Sequence, residues 1–140
     1  MTLRPFLPAD IPAARILWQS TPGVGLSAAD EPAALTAFLA RNPGTSFVAE
    51  SAGRLSGTIL VGHDGRRGLI HHLAVATDQR RSGLGRALVA AGLAALRAQG
   101  IDKCHLMVFA DNAEGALFWT GIGATRRTEL QLYSLPTAPR

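Results

Sequence analysis

The sequence predicts an α/β fold on a mixed sheet that is mostly antiparallel, with one parallel pair of strands and about four helices. Three observations carry this prediction. Segments typical of strands alternate with segments typical of helices along the 140 residues. The turn SAG at 51–53 joins two strand-like runs and predicts an antiparallel hairpin. A strand-helix-strand unit follows at 69–109, and such a unit joins parallel strands. No repeat or linker divides the chain, so we expect a single domain over residues 1–140.

The first half of the chain begins with a short strand at LRPF and continues with two helices. PADIPAARILWQS predicts the first helix, with Asp10 as its N-cap. The second helix is expected from residue 30 or 31 to residue 41, capped by Asp30, opened by Pro32 and closed by NPG. The runs SFVAE and RLSGTILVG then form the hairpin.

The second half starts with a strand at LIHHLAV and a helix from residue 83 to about residue 99, which Gly100 ends. KCHLMVF predicts the next strand. DNAEGALFWTGIG predicts a last short helix that Asp111 or Asn112 caps and Gly121 stops. The alternation in ATRRTELQLYSL indicates one long C-terminal strand or two short ones.

Composition excludes several classes of protein. Hydrophobic residues make up 47% of the chain and charged residues 17%, without an apolar run long enough to cross a bilayer, so we expect a soluble protein and no membrane partner. The first residues carry no signal-peptide core, which indicates a cytoplasmic location. The net charge is +4, but the basic pairs lack interleaved aromatics, so no nucleic-acid partner is expected. The single cysteine, Cys104, reads as a buried small hydrophobe, and no metal site is expected.

The stretch QRRSGLGRAL, residues 79–88, lies where a strand turns into a helix. The first amides of a helix lack intrahelical acceptors, and the helix dipole adds partial positive charge there. Glycines let a phosphate approach such amides, and arginines add charge. We therefore expect a diphosphate site formed by Arg80, Arg81, Ser82, Gly83, Leu84, Gly85 and Arg86.

Two motifs at the right separation resemble the GNAT N-acetyltransferase superfamily. LAVATDQRRSGLGRALV is similar to its acetyl-CoA signature, and VFADN followed by ALFWTGIGA resembles its second landmark. The resemblance covers nearly the whole chain and implies the GNAT fold, with acetyl-CoA as co-substrate. It also implies that the strands at 69–75 and 103–108 splay apart around pantetheine, which pairs with the backbone of Leu73, Ala74 and Val75. Asn112 matches a cofactor-contacting residue of the family and reads equally as a helix N-cap.

The catalytic residues are the least determined part of the prediction. Trp119 occupies a position at which many family members carry a tyrosine that protonates the leaving thiolate, and an indole N–H does not supply a proton near neutral pH. Three alternatives remain open. Trp119 orients the sulfur, or the thiolate leaves unassisted, or Tyr133 reaches the site.

The expected proton acceptor is His71. Strand alternation places its side chain on the same face as Leu73 and Val75, with His72 on the other face, and a β-bulge would exchange the two. The resemblance also implies this role, because some family members place a histidine base at the same distance before the valine that corresponds to Val75. The remaining candidates are His63, which lies in a turn, His105, which lies in an expected core strand, and Glu50.

The sequence leaves two functions open. The first is transfer of an acetyl group from acetyl-CoA to a primary amine of a small molecule or peptide, by direct attack in a ternary complex. The second is an acyl-CoA sensor or scaffold without turnover. The resemblance implies that the first two helices, the loop WQSTPGVGLSAADEP and the C-terminal strand select the acceptor, and it suggests a homodimer through the C-terminal strand or the apolar loops.

Overall fold

The computed structural model describes residues 1–139, which form four helices and seven short strands. The helices are α1 Ile11–Gln19, α2 Pro32–Arg41, α3 Leu84–Ala98 and α4 Ala113–Gly121. The strands are β1 Thr2–Pro5, β2 Phe47–Ser51, β3 Arg54–Ile59, β4 Val61–His63, β5 Gly68–Ile70, β6 Ala74–Val75 and β7 Cys104–Leu106. Single 3₁₀ turns lie at Pro8–Asp10, Ala28–Asp30 and Thr77–Gln79. Backbone contacts divide the chain into two compact units, Met1–Phe109 and a second from Ala110 onwards.

The strands form two sheets in the first unit. One has the order β1-β2-β3-β6 and is antiparallel throughout, whereas the other has the order β4-β5-β7 and contains the parallel pair β5–β7. Leu60 alone separates β3 from β4, and residues 71–73 separate β5 from β6. The predicted mixed sheet with one parallel pair is confirmed. Its parallel register is short and runs from Gly68 opposite Cys104 to Ile70 opposite Leu106.

Helices cover both faces of this sheet region. Trp18 of α1 and Leu35 of α2 are fully buried in one cluster with Val48 and Leu60 of the strands. On the other face, α3 packs its apolar side against the hairpin, and Gly57 permits the close approach, because a Cβ there would lie 3.0 Å from Leu88. Burying a large apolar side chain stabilises the fold by about 1.5–3 kcal/mol.

The predicted helix bounds hold, but two predicted caps do not. Asp10 stands at the N-cap position of α1, yet its carboxylate accepts hydrogen bonds from the Arg4 guanidinium at 2.8 and 2.9 Å and from the Leu7 amide. These bonds, first of all those from Arg4, lower the pKa of Asp10. The N-cap of α2 is Glu31, and Asp30 ends the preceding 3₁₀ turn. Arg4 binds the Asp10 carboxylate, and His72 binds the Asp30 carboxylate. Neither carboxylate therefore accepts a hydrogen bond from the amides of the helix that it was predicted to cap.

In the described part of the chain no residue after Leu106 lies in a strand, so the predicted C-terminal strand does not form there. The alternating pattern of ATRRTELQLYSL provides two faces, but a strand also needs a partner for its backbone hydrogen bonds. The strand expected at 103–109 is likewise reduced to Cys104–Leu106. Within this strand His105 is exposed, although a core position was expected, and Cys104 is only half-buried.

Candidate active site

The turn into α3 has the backbone geometry expected of an anion site. Arg81 and Gly83 both adopt positive φ, +62° and +84°, and the Ser82 hydroxyl donates to the Gln79 carbonyl. The first helical hydrogen bond runs from the Ala87 amide to the Gly83 carbonyl, so the Leu84 and Gly85 amides precede it and have no intrahelical acceptor. A Cβ on Gly83 would meet nothing within 4 Å, so the chain itself needs glycine there for its φ and not for space.

Positive charge surrounds this turn. Arg80 and Arg81 are exposed, and Arg80 Nε lies 3.5 Å from the Val75 carbonyl oxygen. The nearest acidic group along the chain, Asp78, is bound by Arg54 at 2.6 Å. The ion pair offsets the only carboxylate between residues 70 and 90, so a negatively charged ligand meets little repulsion from this segment.

Strand β6 leads directly into the turn and is an edge strand. Its ladder with β3 continues in the 2.8 Å hydrogen bond from the Ala76 amide to the Ser56 carbonyl, so the Val75 backbone faces the other edge. The parallel pairing of β5 with β7 has already ended at Ile70, and no described strand occupies that edge of β6. Of the three residues predicted to pair with a ligand, Val75 presents its amide there. The Leu73 amide instead donates to the His71 carbonyl at 3.0 Å.

The strand junction at 71–73 changes the predicted orientation of the histidines. The His71 ring makes an edge contact with Phe38 of α2, with centroids 5.6 Å apart, and the His72 ring lies 4.7 Å from the ring of Trp18 in α1. Both rings therefore face the α1–α2 side, which strict alternation does not allow. The break in the ladder explains the difference, since it inserts an extra residue between β5 and β6.

Asp30 and His72 form a hydrogen-bonded pair that the sequence does not indicate as a functional feature. Asp30 Oδ1 lies 2.7 Å from His72 Nε2, and its other oxygen accepts from the Ser27 amide at 3.0 Å. The Thr58 hydroxyl donates to the His72 carbonyl at 3.2 Å and accepts from the Trp18 indole at 2.8 Å. The only signal in the sequence was the Ser27-x-x-Asp30 spacing of a capping box, which predicts a local role and says nothing of a histidine 42 residues later.

His71 has a different environment. Its ring makes no hydrogen bond with residues 1–139, and its polar neighbours are His72 and, farther away, Asp30. Burial lowers the pKa of His71 below its usual value, and the charge of His72 lowers it further. The ring is therefore neutral at neutral pH.

Two other candidate bases, His63 and Glu50, make polar contacts with neighbouring residues. His63 Nε2 is 2.7 Å from Gln99 Oε1, and its Nδ1 accepts from the Gly65 amide at 3.0 Å. Glu50 pairs with Arg4 at 3.4 Å. These contacts occupy the groups that would otherwise accept a proton.

Three predicted site residues belong to the second unit. Asn112 is the N-cap of α4, and its Oδ1 accepts from the Gly115 amide at 3.0 Å, as predicted for the cap. Trp119 lies in α4 and makes an edge contact with Phe118, with centroids 5.2 Å apart. The Tyr133 hydroxyl donates to Gln131 Oε1 at 3.4 Å. Their roles at the site stay predictions.

An open strand edge that runs into a helix N-terminus is the arrangement expected of the class of proteins that bind an extended ligand with phosphates at one end. The comparisons with known proteins give this class a family. The sequence model of the Acetyltransferase (GNAT) family matches residues 12–123. The chain belongs to the GNAT acetyltransferase family, as the two motifs predicted.

Individual relatives agree. An acetyltransferase from Photorhabdus laumondii is 34% identical over 116 residues, which cover 80% of this chain and 78% of that protein. Ard1 from Thermoplasma volcanium has a similar structure, with a TM-score of 0.76 and 28% identity over 87% of this chain and 80% of that one. A Mycobacterium tuberculosis protein solved in complex with CoA shares the fold, with a TM-score of 0.66 and 20% identity over 83% of this chain and 69% of that one.

The chain spans between 34% and 52% of the length of the first curated relatives that it matches. None of the helices in residues 1–139 is long and apolar enough to cross a membrane.

Proposed function

We propose that this chain transfers the acetyl group of acetyl-CoA to a primary amine of a small molecule or peptide, by direct attack in a ternary complex. The observation that carries the proposal is the continuity of the open β6 edge with the amide turn at 81–86. Pantetheine amides pair with the strand edge, and the diphosphate lies against the helix N-terminus. Family membership and the CoA complex of the M. tuberculosis protein support this choice of ligand.

The Val75 amide is the proposed donor to the thioester carbonyl. It faces the open edge and is not used by β3. As the amine nitrogen bonds to the carbonyl carbon, negative charge develops on the oxygen, and one well-aimed amide stabilises it by about 3 kcal/mol. The carbon–sulfur bond then breaks and its electron pair leaves with sulfur as the CoA thiolate. Three alternatives stay open for that thiolate: Trp119 orients it, it leaves unassisted, or Tyr133 reaches it. A cofactor contact by Asn112 is also part of the proposal.

The acceptor is proposed to enter beside the loop between α1 and α2. This loop reaches the end of the segment that follows β7, because a Cβ on Gly25 would lie 2.6 Å from the ring of Phe109. It also reaches the strand junction through Asp30 and His72. The loop therefore borders both strands that flank the open edge, which is where an amine must approach the thioester.

Two assays on the full chain test the function. Calorimetry with acetyl-CoA is expected to show binding, and incubation with a panel of amino-acid amides, short peptides and polyamines is expected to release CoA in an amine-dependent manner. Binding without release for every amine would instead support the second function, an acyl-CoA sensor. Absence of binding by well-folded protein would contradict both. Sedimentation of the same sample tests the expected homodimer.

A further inference from the structure

The polar network around His72 connects three parts of the first unit at the junction between β5 and β6. Asp30 comes from the 3₁₀ turn before α2, Trp18 from α1 and Thr58 from β3. The side chains of His72 and Asp30 are only 15% and 9% exposed, so bulk water does not weaken their 2.7 Å contact as it would at the surface.

The hydrogen bond fixes which nitrogen of His72 accepts a proton. An ionised carboxylate only accepts hydrogen bonds, so the proton of the neutral ring lies on Nε2, which faces Asp30 Oδ1. The lone pair is then on Nδ1, which makes no hydrogen bond within residues 1–139. When Nδ1 takes up a proton, the resulting positive charge lies next to the Asp30 carboxylate. His71 lacks such a partner, although it lies beside His72 on the same side of the sheet.

We propose that His72 accepts the proton of the attacking amine and that Asp30 is its positioning residue, an inference that rests on the proposed acetyl transfer and replaces His71 as the base. The nitrogen–carbon bond forms and the carbon–sulfur bond breaks. One amine proton passes to His72 Nδ1, directly or through a water, and later to solvent. Asp30 keeps its hydrogen bond with Nε2 and holds the ring.

Within residues 1–139, two titratable groups contact His72. Asp30 faces it from the 3₁₀ turn, and His71 adjoins it on its own chain segment. The groups from α1 and β3 are the uncharged Trp18 and Thr58. Among the described residues, Asp30 is therefore the carboxylate that orients the ring, and its replacement tests that role directly.

The test compares full-length wild type with His72→Gln, Asp30→Asn and, as a matched histidine control outside the site, His63→Gln. Calorimetry with acetyl-CoA and thermal denaturation come first, to show that each variant folds and binds. The kinetic probe is the amino-acid amide that gives the fastest CoA release with wild type. His72→Gln is expected to lower kcat by about 100- to 10,000-fold and to abolish the acid limb of the pH profile of kcat/KM. Asp30→Asn lowers kcat with little change in KM, and His63→Gln keeps both.

Nitrogen-15 NMR of wild type provides a readout that needs no substrate and no variant. The ring of His72 is expected as the Nε2–H tautomer, and Asp30→Asn is expected to remove that preference. A proton on Nδ1 in wild type overturns the inference, as does wild-type kcat with an intact acid limb in His72→Gln, and in that second case the acetyl transfer itself stands. If wild type binds acetyl-CoA but releases no CoA with any amine, the proposed function and the inference fail together.

Discussion

Glycine at position 83 can serve the backbone, through its positive φ, or the ligand, by leaving space for the proposed diphosphate. Replacing Gly83 by alanine separates these two roles. Gly83 has a φ of +84°, and an added Cβ would meet nothing within 4 Å. Gly100, just beyond the other end of the same helix, has a φ of +82° and equally open surroundings. Alanine in the left-handed region costs about 1 kcal/mol, so both substitutions should lower the free energy of unfolding by that amount. Urea denaturation measures it.

Only the first substitution should affect the binding of acetyl-CoA. A Cβ on Gly83 projects into the space that the diphosphate is proposed to fill, whereas one on Gly100 lies at the helix end farthest from it. A hydrogen bond between an amide and a charged phosphate oxygen contributes about 1.5–3 kcal/mol, so its loss weakens affinity about 10- to 150-fold. Calorimetry with acetyl-CoA should therefore show this loss for Gly83→Ala and a change of less than about 2-fold for Gly100→Ala.

The comparison of the two variants can refute the reasoning. If both lose the same stability and both bind acetyl-CoA like wild type, the turn at 81–86 does not hold the diphosphate. If Gly83→Ala unfolds far more easily than Gly100→Ala, glycine serves a packing role that the open surroundings of Gly83 do not suggest. A loss of affinity confined to Gly83→Ala, at equal stability, is the expected result.

Three further predictions concern the core, the response to acid and the second unit. Trp18→Phe removes the buried 2.8 Å hydrogen bond to Thr58 and should cost about 1–3 kcal/mol in urea denaturation; an unchanged midpoint would contradict the network. Hydrogen bonds from Arg4 lower the pKa of Asp10, so the stability they give is present near neutral pH and is lost as the pH falls through that lowered value. Asp10→Asn should be less stable than wild type at pH 7 and should lose less stability on acidification. Trp119→Phe should lower kcat by about 2- to 10-fold, the worth of one neutral hydrogen bond, and a loss beyond about 100-fold would mean that the indole does more than orient the sulfur.

The sequence was most informative where the signal is local in the chain. The bounds of α2 follow from Pro32 at its start and NPG at its end, and the N-cap role of Asn112 follows from its place before an apolar run. The positive φ of Gly83 could be expected from glycine at a strand-to-helix turn. Each of these depends on the conformation of a few neighbouring residues, so no knowledge of the rest of the fold was needed.

The predictions that failed depend on partners outside the local element. Aspartate is a common N-cap residue, but Asp10 is bound by Arg4 through charge-assisted hydrogen bonds. Asp30 is bound by His72 through a largely buried one. The alternation at 124–135 is typical of a strand, yet no described strand forms there, because a ladder also requires a partner. Alternation likewise failed at His71 and His72, where the ladder breaks between β5 and β6.

By itself, then, the sequence determined the family, the order of helices and strands as far as α4, and the glycine turn that opens α3, since all three reside in contiguous motifs. The tertiary structure alone decided which strand edge stays open and which histidine receives a carboxylate. Strand edges and the Asp30–His72 pair involve residues tens of positions apart, and their distances are set by how the sheet and the helices pack.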